Sequence, residues 1–284
     1  MITNEKHLYH ILKTPKARVE YIIENIDNYY HSFTKEKKNA RKKQGKLSSD
    51  DSNEKRILFN VSKKLKKIQQ NLYIFFKNNA ELPEYAFGGI QGRNNIKNAR
   101  YHQGNKYVFT TDIKSFFPNI SNKQVFDMFL REGCTPSIAR ILTKLTTYSH
   151  QLPQGASTST IIANLVFKPC GKDIELLAQK HNIKFSTFVD DITLSSKSDF
   201  KDIAPIFIKI ISKHGFKINH KKTCYKTKNP LITGIVCHND RLLPPLSCKR
   251  RIAQLKKDVY HNPNVKEHLT SLVNYIKNIQ KSNH

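Results

Sequence analysis

An α+β fold is the class this sequence predicts, and three observations carry it. Short β-branched and aromatic runs alternate with amphipathic stretches in an irregular order rather than a strict strand–helix repeat. The 284 residues suffice for one large globular unit or for two to three lobes with sizeable cores. The stretch FSTFVDDITLSS, residues 185–196, holds Asp190 and Asp191 between two apolar runs and reads as strand, tight turn, strand. That turn has no glycine to supply a positive φ, which hairpin turns usually recruit. Adjacent carboxylates between apolar strands repel each other unless a cation lies between them. On the pair alone, a solvated turn and a metal site are equally good readings.

The remaining elements follow in order. Residues 3–33 carry Leu8, Ile11 and Leu12, then Val19, Ile22, Ile23 and Ile26, at helical spacing on either side of Thr14-Pro15, which predicts two helices. Residues 35–56 are polar and basic and read as a loop. A short strand at residues 56–59 leads to Ser62, an N-cap for a helix with Leu65, Ile68, Leu72 and Phe76 on one face. LPEYAFGGIQGR is a loop by its punctuation. YVFTTD, residues 107–112, reads as a strand with Val108, Thr110 and Asp112 on one face. Residues 121–148 are helical with a break near Pro136, and LPQGASTST turns into a helix running to about Gln179. After the Asp-Asp hairpin come a helix at about 200–214, a strand-like FKIN, an apolar strand pair flanking Thr233-Gly234, and a basic helical stretch from about Leu246.

Composition bounds the partners. Lys and Arg number 49 against 22 Asp and Glu, a net charge of +27. Self-repulsion of that size is compensated most naturally by a polyanion, and nucleic acid is the obvious one. No stretch has the uninterrupted apolar length that spans a bilayer, and the first residues lack a signal peptide's apolar region, so the expectation is a cytoplasmic protein without a membrane partner. The five cysteines are scattered with no CxxC pair, which argues against a disulfide framework or structural zinc.

Three acids stand out: Asp112 at a strand end, and Asp190 with Asp191 at a hairpin tip. Brought together by folding, they would make an oxygen-rich site suited to Mg²⁺, which takes a few carboxylates plus substrate phosphates. Two such ions would activate a 3′-hydroxyl and stabilise a leaving pyrophosphate. The succession DIKSFF, LPQGAST, FVDD and GFKINHKKT resembles motifs A, B, C and D of the reverse transcriptases, a likeness covering roughly residues 40–240. Asn98-Ala99-Arg100-Tyr101-His102 is similar to the NAxxH motif of the retron reverse transcriptases. Ile232-Thr233-Gly234 is similar to their VTG motif, with Ile for Val.

The resemblance implies a right-hand architecture: an N-terminal helical segment (1–34), fingers (35–106), a palm with finger-derived helices inserted (107–240) and a small helical thumb (241–284). It assigns metal binding to Asp112, Asp190, Asp191 and the Ile113 carbonyl, with two Mg²⁺ ions and Mn²⁺ as a substitute. Phe117 would pack under the deoxyribose and exclude a 2′-hydroxyl. Gln154 and Gly155 would line the template–dNTP pair, Arg56 would clamp the triphosphate, and Lys43 would assist it. Lys222 would give a proton to the leaving pyrophosphate, with Lys221 an equal candidate on sequence. Asn98, Ala99, His102, Ile232, Thr233 and Gly234, with Lys249, Arg250 and Arg251 of the basic C-terminal stretch, would hold RNA.

The activity implied is RNA-directed DNA synthesis on a cognate structured RNA, begun from a 2′-hydroxyl within it to give a branched RNA–DNA hybrid. A separate effector protein in anti-phage defence is the implied protein partner. The alternatives are another stand-alone defence-associated reverse transcriptase and a non-catalytic RNA-binding scaffold on the same fold. Two departures from the family pattern bear on fidelity and processivity. Val189 takes the place of Ala in Tyr-Ala-Asp-Asp, and Ser157 and Thr160 replace the prolines usual in motif B.

Overall fold

The computed structural model describes residues 2–36, 55–260 and 262–283. The chain gathers into two compact units, each assembled from two stretches: Met1–Glu81 with Phe117–Val166, and Leu82–Phe116 with Phe167–His284.

Helices α1 (Glu5–Leu12) and α2 (Lys16–Glu24) open the first unit, with Asn4 capping α1 by accepting from the His7 amide. Strands β1 (Tyr30–Glu36) and β2 (Lys55–Val61) pair antiparallel from Tyr30↔Val61 to Glu36↔Lys55. β1 corrects the helical reading to residue 33, because its extended form depends on β2, a partner distant in sequence. Helix α3 (Lys63–Asn79) buries Leu65, Ile68, Leu72 and Phe76 as expected, although Ser62 makes no side-chain capping bond.

The chain then enters the second unit with α4 (Asn95–His102) and β3 (Tyr107–Asp112). α4 was not among the helices expected: Asn94 caps it by accepting from the Lys97 amide, a start signal obscured by the glycines just before it. Back in the first unit, α5 (Asn122–Arg131) starts with a Ser121/Gln124 capping box and α6 (Pro136–Thr146) with proline in its first turn. Tyr30, Phe59 and Tyr148 form an aromatic cluster there, with Tyr30 and Tyr148 stacked 4.5 Å apart.

Helix α7 (Ser159–Lys180) leads to the hairpin of β4 (Lys184–Phe188) and β5 (Asp191–Ser196), then α8 (Ala204–Lys213) and β6 (Cys224–Lys226). The sheet order is β4-β5-β3-β6, antiparallel throughout. FKIN, read as strand-like, contributes only a single bridge, Ile218 to Ile113, and the edge strand beside β3 is β6. Strands β7 (Leu231–Ile232), β8 (Ile235–Cys237) and β9 (Leu242–Leu243) make a second small sheet, followed by α9 (Leu246–Asp258) and α10 (Lys266–Lys281). Ala99, Val108, Ile232, Ile235, Leu242 and Ile279 form one core that joins α4, β3, the small sheet and α10. Full burial of each larger aliphatic side chain there contributes about 1.5–3 kcal/mol. Among the described residues, no helix is long and apolar enough to cross a membrane.

Candidate active site

The acids meet because of strand register. β3 pairs with β5 so that Asp112 stands directly opposite Asp191, and the Ile113 amide donates to the Asp190 carbonyl at 2.9 Å. Two carboxylates far apart in sequence thereby become cross-strand neighbours at one end of the sheet. Asp112 is buried, at 6% exposure. Lys222 Nζ donates to its Oδ2 at 2.6 Å and Asn219 Nδ2 to its Oδ1 at 3.3 Å. Of the two lysines that the sequence left equal, Lys222 is the one that reaches Asp112. Asn219 was missed, although it lies inside the same GFKINHKKT run.

Burial, then the charges of Asp190 and Asp112, push the Asp191 carboxyl up to about 6, against the pull of Lys222. Among the described residues no three His, Cys, Asp or Glu side chains already form an ion cage. Mg²⁺ does not need one, since it takes a few carboxylates and completes its shell with water and substrate phosphate. The repulsion registered at Asp191 is what a divalent cation would relieve, so the donor set fits such an ion.

The hairpin tip is strained. Phe188 pairs with Asp191, leaving Val189 and Asp190 as the turn, and Val189 has φ 60°. A β-branched residue in the left-handed region is an outlier. Its support comes from the segment at Tyr85–Gly88, which runs beside β4: Thr187 N donates to Tyr85 O at 2.8 Å and Phe87 N to Thr187 O at 2.7 Å. A Cβ on Gly88 would fall on the Val189 backbone nitrogen and within 2.7 Å of its Cγ2. Gly88, unmarked in the sequence reading, is therefore fixed by close approach to the turn.

The residues expected on the nucleotide side lie in the first unit. Gln154 O accepts from the Phe59 amide at 2.9 Å, which ties the motif B turn to β2. Gly155 has φ 117°, and a Cβ there would lie 2.6 Å from the Phe59 carbonyl oxygen, so no other residue fits. Arg56 is exposed on β2, and Phe117 is partly buried. Lys43 lies outside the described residues.

The NAxxH-like run and Ile232-Thr233-Gly234 pack together in the second unit. Asn95 Nδ2 donates to Thr233 O at 3.2 Å and to the Tyr275 hydroxyl at 2.6 Å, and Thr233 Oγ1 donates to Asn95 O at 3.3 Å. Asn98, Ala99, His102 and Ile232 are fully buried. RNA binding is the role expected of these four, and their side chains pack α4 against its neighbours. Thr233 and Gly234 form the turn between β7 and β8, both at positive φ, while Lys249, Arg250 and Arg251 are exposed on α9.

Residues 36–249 match the family described as reverse transcriptase (RNA-dependent DNA polymerase). The chain belongs to that family. Its relatives there include the Retron Ec86 reverse transcriptase of Escherichia coli, 27% identical over 83% of this chain and 72% of the relative. The Retron Se72 reverse transcriptase of Salmonella heidelberg is 26% identical over 75% of this chain and 55% of the relative, so the chain spans only about half of that protein's length. The Retron Ec48 reverse transcriptase of Escherichia coli is 30% identical over 60% of this chain and 45% of the relative. A solved telomerase from Candida albicans, in complex with a fragment of telomeric RNA, aligns with a TM-score of 0.43 and 14% identity over 62% of this chain and 39% of that one, too slight a likeness to argue from. The resemblance drawn from DIKSFF, LPQGAST, FVDD and the NAxxH-like run thus meets a family-level match and retron relatives.

Proposed function

We propose that this protein is an RNA-directed DNA polymerase of the retron kind, which copies part of a cognate structured RNA into a branched RNA–DNA product. The observation that carries the reading is the register pairing of Asp112 with Asp191, with Asp190 beside it, at the end of a buried antiparallel sheet. Asp112, Asp190, Asp191 and the Ile113 carbonyl would hold two Mg²⁺ ions, or Mn²⁺ in their place. Bound there, the ions would activate the primer hydroxyl and stabilise the departing pyrophosphate. Lys222, bonded to Asp112, is the ammonium assigned to protonate that pyrophosphate.

Arg56 would bind triphosphate through its planar guanidinium, Phe117 would exclude the 2′-hydroxyl, and the Gln154–Gly155 turn would line the nascent base pair. The exposed Lys249, Arg250 and Arg251 would contact RNA phosphates. In the right-hand division these residues fall into fingers, palm and thumb. A role in anti-phage defence with a separate effector protein follows from the retron resemblance.

The test is extension of a primed RNA template with dNTPs and Mg²⁺, followed by sequencing of the nucleic acid that copurifies from cells. Wild type is expected to extend the primer and to carry DNA branched from one structured RNA, and Asp190→Ala to lose both. Equal extension by Asp190→Ala, or copurifying RNA without DNA, would overturn the reading.

A further inference from the structure

We infer that His102 is a positioning residue: its imidazole clamps together the two strands of the hairpin that bears Asp190 and Asp191 and so fixes where those carboxylates stand. His102 closes α4 and has no exposed surface. Its Nδ1 lies 2.7 Å from Ser195 Oγ on β5, and its Nε2 lies 2.7 Å from Ser186 Oγ on β4. Both serines are fully buried. Ser186 pairs with Thr193, and Ser195 lies two residues further along β5, so the two hydroxyls share one face of the hairpin. Each stands four residues from one of the paired acids, Ser186 before Asp190 and Ser195 after Asp191.

The bonding has a direction. Asn105 Nδ2 donates to Ser195 Oγ at 2.8 Å. The serine's own proton is then available to Nδ1, and Nε2–H donates to Ser186, an arrangement that satisfies a neutral imidazole on both sides. Burial, helped by the charge of Lys184, holds the His102 pKa down to about 3, so the ring stays neutral wherever a polymerase works.

Apolar side chains could fill this space without needing any partner. Three buried polar groups that satisfy one another give the hairpin a single register and twist instead, because a slip by one residue would orphan all of them. A carboxylate pair that must hold a fixed geometry needs that support. A fully buried imidazole has no surface to offer RNA, so the motif's histidine acts through the hairpin.

The inference rests on the polymerase reading, and the experiment separates the two. Full-length wild type, His102→Phe, Ser186→Ala and Ser195→Ala are assayed for oligo(dT) extension on poly(rA) with dTTP and a Mg²⁺ titration. Amide exchange across residues 184–196 and binding to a structured RNA are measured on the same proteins. His102→Phe is expected to lower kcat about tenfold and to raise the Mg²⁺ needed for half-maximal rate, with KM for dTTP unchanged. Each serine variant is expected to do less. Hairpin exchange should quicken while RNA binding holds.

Unchanged kcat, Mg²⁺ requirement and hairpin exchange would overturn the clamp, as would a loss confined to RNA binding. An inactive wild type with faster hairpin exchange in His102→Phe would bring down the polymerase reading and keep the clamp. Should His102→Phe not fold, the serine variants decide by the same readouts.

Discussion

Two hairpin tips in the second unit pose the same conformational problem and solve it differently. At Val189–Asp190 and at Thr233–Gly234 a β-branched residue takes the first turn position with positive φ, 60° for Val189 and 44° for Thr233. The Thr233 tip has glycine in the second position, as tight hairpins prefer, and its strained residue is held by Asn95. The Val189 tip has Asp190 there, no glycine of its own, and the neighbouring backbone of Tyr85–Gly88 as support. Where a carboxylate must occupy the turn, the glycine moves from the turn to the segment packed against it. The strain at the acid-bearing tip is thus maintained from outside the hairpin, which is where strained functional backbone is expected to draw its support.

Gly88→Ala tests that support most severely. Its Cβ would meet Val189 and come within 2.8 Å of the Phe188 carbonyl carbon, so the acids must shift. We expect primer extension to fall about a hundredfold, the scale of an ångström-sized displacement of reacting groups. An alanine at Gly92, with nothing within 4 Å of its Cβ, should leave the rate far less changed despite its positive φ. Equal rates for the two variants would break the comparison.

The charge at the same tip gives the next effect. Asp191 is raised from 3.8 to about 6, so between those values the folded, metal-free protein binds more protons at this group than the unfolded chain. The group's contribution to stability therefore falls as pH rises through that window, and the cost is fully in place above about 6. Asp191→Asn should raise metal-free stability at pH 7 by about 3 kcal/mol and change it little at pH 3.5, read by denaturant unfolding. An equal gain at both values would show that repulsion among the acids is not the cause.

The smallest effects separate strain from compensation. Asparagine tolerates the left-handed region, so Val189→Asn should stabilise by about 1 kcal/mol. Thr233→Asn should gain close to nothing, because relief of strain is offset by the lost hydroxyl bonds to α4. Matching gains in thermal unfolding would mean that the two tips are supported alike.

Local sequence determined much of this protein. The apolar face of α3, the break at Pro15, the strand at YVFTTD and the hairpin around Asp190–Asp191 follow from periodicity and turn chemistry, which act over a few residues. The same short runs carried the family resemblance, so the acids and the motif B glycine could be named before any fold was drawn. Tertiary structure decided what depends on distant partners. β1 is a strand because β2 pairs with it, and α4 is a helix set among residues that read as loop. Lys222 rather than Lys221 meets Asp112 because the short turn before β6 aims it there. Gly88 and the serines around His102 have no local signature, and Asn219 has only its place in the GFKINHKKT run, since their roles are contacts with residues distant in sequence. The burial of Asn98 and His102, finally, could not be read locally, because exposure belongs to the packed chain as a whole.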